Sequence, residues 1–548
     1  MKETEFNLLE EPWIRIRFPD CSVREVSLTD ALLHAHEAAD LAGELPAQDV
    51  AVLRLLLAVL QTVFQRVDET GAPAPFRQEE DAIVRWGKLW RLGRFPAEPL
   101  QQYLKTWRER FWLFHPERPF WQVPQAKIGT EYSAAKLNGE LSESGNKIRL
   151  FPPCSGEEKS GMSYAQAARW LLYLNGYDDT SSKPKTKGAP SVGAGWLGKL
   201  GPIQAVGSNL FETLLLNLTL LKDGAEKWGE GVPCWELETP RSGERTEIPQ
   251  PDHPAALLTL QSRRIFLHRE NDRVTGYSLL GGDFFSPEYA YCEQMTVWRG
   301  VQRSRNAPLV FLPKRHDPGK QFWREFPAVF MQENGIHAPG VVRWISRLQH
   351  PGIHLLDRGS LVRFRITGVE YGDKDFFVTD TFADELSFHA DLLEDVGKGW
   401  RKSIQEEIAR CESLAEAVGW LACDLAIAAG RDKDGSQKAE AGKAKEQFYF
   451  RVDQPFREWL RTIDPLQGEE EKENKILQWR NRAAQLARRF GEELVREAGT
   501  RALIGRSIED RSKKGKNETS VKRHYSAPEA YNAFLSRIAV IYRKGGTA

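Results

Sequence analysis

From residue 393 to 425 the apolar positions Leu393, Val396, Trp400, Ile404, Ile408, Cys411, Leu414, Val418, Leu421 and Leu425 recur at three- and four-residue steps. The mean step of about 3.6 residues lays them along one face of a long helix, with Gly397 and Gly399 as its weakest points. A stripe of that length is stable only if other elements cover it. Three more helical patterns follow: Phe448, Val452, Phe456, Trp459 and Ile463; Ile476, Trp479, Ala483, Leu486, Phe490 and Leu494; and, after Ser526-Ala-Pro-Glu529 with its capping-box spacing, Tyr531, Phe534, Ile538 and Ile541. An antiparallel four-helix bundle over 385–548 is therefore expected. The polar stretches 431–443 and 507–523 read as connectors between its parts.

Upstream the patterning is different. Trp13 to Phe18 alternates apolar and basic residues, a Pro19-Asp20 turn follows, and Val23 to Leu28 completes the pattern of a hairpin. Val50, Leu53, Leu57, Leu60 and Phe64 predict an amphipathic helix. Two strand pairs are expected further on, Arg264–His268 with Val274–Leu280 and Leu361–Ile366 with Phe376–Thr379. Residues 1–384 thus read as an irregular, loop-rich α+β domain, and the fold class is α+β with a helical C-terminal bundle.

Composition narrows the function classes. Lys plus Arg and Asp plus Glu are both 76, so a nucleic-acid site must arise from local segregation of charge. The six cysteines include no CxxC pair, which argues against structural zinc and a disulfide framework and for a cytoplasmic setting. The most apolar helical stretch, Ala51 to Leu60, is short of the roughly 20 residues that span a bilayer and carries Arg54, so no membrane partner is expected.

Motifs for catalysis are weak. Gly193-Ala-Gly-Trp-Leu-Gly198-Lys199-Leu200 satisfies GxGxxG and approaches a phosphate loop, but Leu200 stands where a Ser or Thr must hold Mg²⁺, and Pro202 disfavours a following helix. A P-loop or dinucleotide-binding enzyme built on Gly193–Lys199 is the alternative this motif keeps open; a protein-only interaction scaffold is another. His350-Pro-Gly-Ile-His354 has a metal-compatible spacing, yet Pro-Gly between the histidines favours a turn, and no acidic or cysteine cluster completes a site. No cofactor, metal or catalytic residue is expected. The segment from Thr180 to Phe211 is more informative, because it carries Lys183, Lys185, Lys187 and Lys199 with glycines at 188, 193, 195, 198, 201 and 207 and no acidic residue. Glycines allow close backbone approach and lysines neutralise phosphates, which suits nucleic-acid contact. A solvated loop has the same composition.

The opening Phe6-Asn-Leu-Leu-Glu-Glu-Pro-Trp-Ile14 resembles the start of the CasA family, the large subunit of the type I-E CRISPR complex Cascade. His115-Pro-Glu-Arg-Pro-Phe120 resembles that family's His-Pro-x-Arg-Pro-Phe segment, and the glycine-rich loop and terminal bundle occur in matching order. The resemblance implies a non-catalytic subunit that reads the protospacer-adjacent motif (PAM) in double-stranded target DNA, promotes strand opening and R-loop formation, and recruits a nuclease-helicase in trans. Its implied partners are the other Cascade subunits, the CRISPR guide RNA and target DNA. By the same resemblance, Gly188, Gly193 and Gly195 with the four lysines would form a glycine loop on the DNA. Arg269 or Arg273, at the tip of the Arg264–Leu280 hairpin, would stand in for the family's lysine finger. Leu150 and Phe151 would touch guide RNA, and Gly372, Asp373 and Lys374 would form a wedge beside the PAM.

Overall fold

The computed structural model describes residues 3–138, 160–181, 184–331, 337–350, 352–353, 355–356, 359–431, 435–514 and 517–543. The chain divides into two compact units, one made of Met1–Phe322, Ala328–Arg358 and Val362–Glu385, the other of Trp323–Pro327, Gly359–Leu361 and Leu386–Ala548.

The first unit is mixed α/β, as its patterning predicts. Its sheets are small. Strand Ile14–Arg17 pairs antiparallel with Val23–Val26 and with Asp40–Leu41. Strand Glu5–Asn7 pairs with Trp112–Phe114, Glu5 opposite Phe114, so the opening segment lies beside the strand that leads into His115–Phe120. Trp13, fully buried, donates its indole N–H to the Leu8 carbonyl at 2.9 Å, which fixes the entry to that region.

Helix Pro46–Arg66 runs through the core, opened by a proline in its first turn, where the missing N–H costs nothing. Here two expectations are corrected. The helix is 21 residues long, with a stretch apolar enough to cross a membrane by length and composition, yet 94% of that stretch is buried inside the protein. Nor is it amphipathic: Leu55, Leu56, Val59 and Val63 are as buried as Leu53, Leu57 and Leu60, so the fold covers the helix on all sides.

The second unit carries helices Lys398–Ala428, Ser436–Arg461, Glu469–Glu497 and Ala527–Arg543. Gly397 precedes the first as its cap, where a side chain would run into the Asp391 carbonyl and Leu392, so the expected break falls there and not at Gly399. The Trp479 ring packs edge-on against Phe456 at 5.1 Å and is stacked on Trp459 at 5.3 Å. Gly491 makes room for the Phe534 ring. The two expected connectors turn out otherwise. Residues 436–443 already belong to the second helix, and Arg506–Lys514 pairs antiparallel with Asn517–Tyr525 as a long hairpin.

Candidate nucleic-acid interface

Helix Tyr164–Tyr177, capped by Ser163 in a reciprocal box with Gln166, delivers the chain to the glycine-rich loop. Both ends of the loop are pinned. Arg263, 1% exposed, pairs with the Asp178 carboxylate and donates to the carbonyls of Asp179 at 3.0 Å and Gly193 at 2.6 Å. The Gly195 N–H donates to the Asp178 carbonyl at 2.9 Å. A Cβ on Gly195 would collide with the Gly176 carbonyl oxygen, so only glycine permits this approach. Gly188 and Gly193 have φ of +85° and +63°, left-handed turns that glycine adopts without strain. Between the pinned ends Lys185 and Lys187 are exposed. The Lys185 and Thr186 amides donate to the two oxygens of Glu244, each at 2.9 Å. Lys183 lies outside the described residues, as do Leu150 and Phe151.

Lys199 is placed differently from the other loop lysines. It is half-buried, and burial, followed by the charges of Arg263, Arg245 and Arg315, brings its ammonium down to about 8. Arg245 stacks over Phe284 at 4.0 Å and lines a small cavity with Lys199, Arg263 and Asp283.

Beyond the loop the chain makes one 3-10 turn, Leu197–Lys199, and enters strand Ile203–Ala205. A phosphate-binding loop needs a strand before it and a long helix after it. Here a helix precedes and a short strand follows, so the enzyme reading built on Gly193–Lys199 lacks its architecture. His350 caps the end of helix Gly340–Gln349, and its Nδ1 accepts from the Gly352 amide at 3.3 Å; His354 lies outside the described residues. Among the described residues no group of three or more His, Cys, Asp or Glu could hold a metal ion.

Strand Ile203–Ala205 pairs with Leu361–Tyr371, Ile366 opposite Ile203, and Leu361–Tyr371 pairs in turn with Val378–His389. Both strands of that hairpin are longer than the alternation predicts. Its tip, Gly372 to Asp375, folds back onto the glycine-rich loop. The Thr180 amide donates to the Asp375 carbonyl at 2.9 Å and its hydroxyl to the Lys374 carbonyl at 3.0 Å. Arg315 donates to the Gly198 carbonyl at 2.6 Å and grips both Asp375 oxygens at 2.7 and 2.8 Å, which holds that carboxyl below its usual range. The Tyr371 hydroxyl donates to the Tyr177 carbonyl at 2.7 Å. Asp373 and Lys374 are exposed. Two segments that the sequence treats separately are thus joined at Thr180, Gly198 and Tyr177.

The basic hairpin is real but its arginines are engaged. Strand Arg263–Glu270 pairs with Arg273–Gly281 through a two-residue turn in which Asn271 and Asp272 have φ of 47° and 61°, the left-handed pair that short hairpins favour. Arg269 pairs with Glu5 at 2.5 Å and lies over the Phe114 ring at 4.1 Å. Arg273 donates to the Gly161 carbonyl. Neither projects as a free finger. Arg315, Thr180, Arg263, Glu244 and Arg245 are the residues that sequence reasoning missed. Their partners are distant in the chain, and no local pattern marks them.

A family model described as CRISPR-associated protein Cse1 matches residues 7–490. The curated CRISPR-associated protein CasA/Cse1 of Thermus thermophilus is 32% identical over 445 residues, which are 78% of this chain and 80% of that protein. The solved structure of Thermobifida fusca Cse1 aligns with a TM-score of 0.82 at 27% identity, covering 98% of each chain. A chain of a CRISPR RNA-guided surveillance complex shares the fold at a TM-score of 0.68 and 17% identity, over 98% of this chain and 99% of that one.

Proposed function

The chain belongs to the CRISPR-associated Cse1 family, and on that premise we propose that it is the non-catalytic large subunit of a cytoplasmic RNA-guided interference complex. It reads the PAM in target duplex DNA, promotes strand opening and R-loop formation, and recruits a nuclease-helicase in trans. The observation that carries this reading is the junction of the lysine-bearing glycine loop with the 372–375 turn through Thr180 and Arg315. One part can follow the phosphates while the other meets the base pair beside them.

In this reading Lys183, Lys185, Lys187 and Lys199 neutralise phosphates, and Gly188, Gly193 and Gly195 let the backbone approach the groove. A narrow groove read by backbone and lysines discriminates bases coarsely, so several PAM sequences are accepted. Gly372, Asp373 and Lys374 are the wedge. Arg269 and Arg273 reach DNA only by releasing Glu5 and Gly161; otherwise they shape the hairpin. Leu150 and Phe151 contact guide RNA. The division of labour matches other RNA-guided systems, in which pairing reads the target and protein reads a short flanking motif.

The test is reconstitution. Complexes of the other subunits and guide RNA, with and without this chain, are compared on duplexes that carry or lack the PAM. PAM-dependent R-loops that require the chain, and capture of a nuclease-helicase by the R-loop-bearing complex, support the proposal. Equal R-loop formation without the chain rejects it.

A further inference from the structure

The wedge reading asks a short turn to push against stacked base pairs, and a turn can do so only if it is held. The 372–375 turn is held in an unusual way. Lys374 and Asp375 both lie in the left-handed region, with φ of 57° and 58°, as Asn271 and Asp272 do at the other hairpin tip, but a lysine there is less favoured than Asn, Asp or Gly and gains from surrounding contacts. Thr180 holds the Lys374 and Asp375 carbonyls, and the side-chain contact to the Asp375 carboxylate comes from Arg315. Arg315 follows strand Leu309–Lys314, its guanidinium lies 4.7 Å from the Tyr371 ring centroid, and its donors are divided between the Asp375 carboxylate and the Gly198 carbonyl. One side chain therefore ties the tip of the hairpin to the far end of the glycine-rich loop.

We infer that Arg315 is a positioning residue of the interface, locking the 372–375 turn to the glycine-rich loop so that duplex contact and strand opening are made by one rigid element. The inference rests on the wedge reading above. A planar fork with a third donor can serve both partners at once; a lysine ammonium keeps the charge but cannot hold both carboxylate oxygens and Gly198 in fixed geometry. Arg315 also offsets the charge of Asp375, which next to phosphates would repel. The two roles separate on substitution. If charge is what matters, removing the Asp375 carboxylate helps DNA opening and Arg315→Lys is harmless. If geometry is what matters, both substitutions impair it.

Full-length R315A, R315K and D375N proteins are assembled with the guide-RNA complex and compared on fully paired PAM-bearing duplex and on the same duplex with a pre-opened bubble beside the PAM. R315K and D375N are expected to slow R-loop formation on paired DNA by about tenfold, because opening the first base step is the costly event, and to approach the parent rate on bubble DNA. The double variant R315A/D375N should be no slower than R315A, since the two residues act as one contact. D375N changes little in volume and carries the test if R315A fails to fold. Parent rates for R315K and D375N on paired DNA overturn the inference, and if a Gly-Ser replacement of residues 372–374 is slow in the same assay, they overturn it alone. A normal rate for that replacement overturns the wedge reading and this inference with it.

Discussion

Arg54 and Glu293 face each other inside the first unit as a two-armed ion pair, 2.7 and 2.8 Å between nitrogen and oxygen, with side chains 4% and 1% exposed. The same carboxylate accepts the Trp196 indole N–H at 2.8 Å, which anchors the glycine-rich loop to the central helix. Removing one partner of such a pair leaves a buried charge without compensation, at a cost of about 3–5 kcal/mol, whereas replacing both with apolar side chains is often tolerated. Arg54→Met is therefore expected to lower the midpoint of chemical unfolding sharply, and Arg54→Met combined with Glu293→Leu to recover only part of the loss, because Glu293→Leu also leaves the buried Trp196 N–H without its acceptor. A parent-like midpoint for Arg54→Met would show that the pair contributes little.

The lysines at 183, 185 and 187 are expected to act through phosphate charge. Replacing Lys183, Lys185 and Lys187 with alanine should weaken binding of the assembled complex to target duplex. It should also flatten the log-log dependence on salt by about 0.9 for each phosphate that is no longer neutralised. The affinity series from low to physiological salt measures both. An unchanged slope means that these lysines are solvated in the complex.

Gly195 tests whether the loop's base must be tight. A Cβ there would overlap the backbone oxygen of Gly176, an atom at the end of a helix that cannot step aside. Gly195→Ala should cost about 1–3 kcal/mol through overpacking and should reduce duplex binding, because the shift displaces the Arg263 contact at Gly193. Gly188→Ala at the loop tip meets nothing within 4 Å, although its φ of +85° disfavours alanine. It is expected to be the milder change in stability. Thermal unfolding and duplex affinity of the two variants decide the point.

Much of this architecture is written in local patterns. The four long helices follow from apolar residues at helical spacing, and the 263–281 hairpin from alternation around a short turn. What escaped has physical causes. The 506–525 hairpin is made of charged and polar residues with few apolar positions, so period two carries no hydrophobic signal there. The central helix has one apolar stripe at helical spacing, while Leu55, Leu56 and Val59 outside that stripe are also buried, in a helix that packs against Tyr164–Tyr177 and Pro254–Leu258. The site divides in the same way. Lysines and glycines concentrate within one segment and can be read there. The clamp between Arg315 and Asp375 spans 60 residues and reaches back to Gly198, 117 residues from Arg315, so only the folded chain brings it together.

Lys199 provides a pH test with two opposite signs. Its ammonium is brought from an ordinary 10.5 down to about 8, chiefly by burial. Between those values the unfolded chain holds a proton that the folded chain has released, so folding stability contributed by this residue rises as pH increases from 8 toward 10.5. Below pH 8 the buried charge opposes folding. A DNA phosphate beside Lys199 favours the charged form, so binding takes up a proton above about pH 8 and affinity falls as pH rises. Lys199→Met should therefore raise stability at neutral pH, lose the stability gain between about pH 8 and 10, and bind duplex with an affinity that no longer declines over that range. Paired unfolding and duplex-binding series at about pH 7, 8 and 9 check both signs. A binding profile that declines equally in parent and variant would mean that another group titrates, and that Lys199 is a buried lysine with no phosphate beside it.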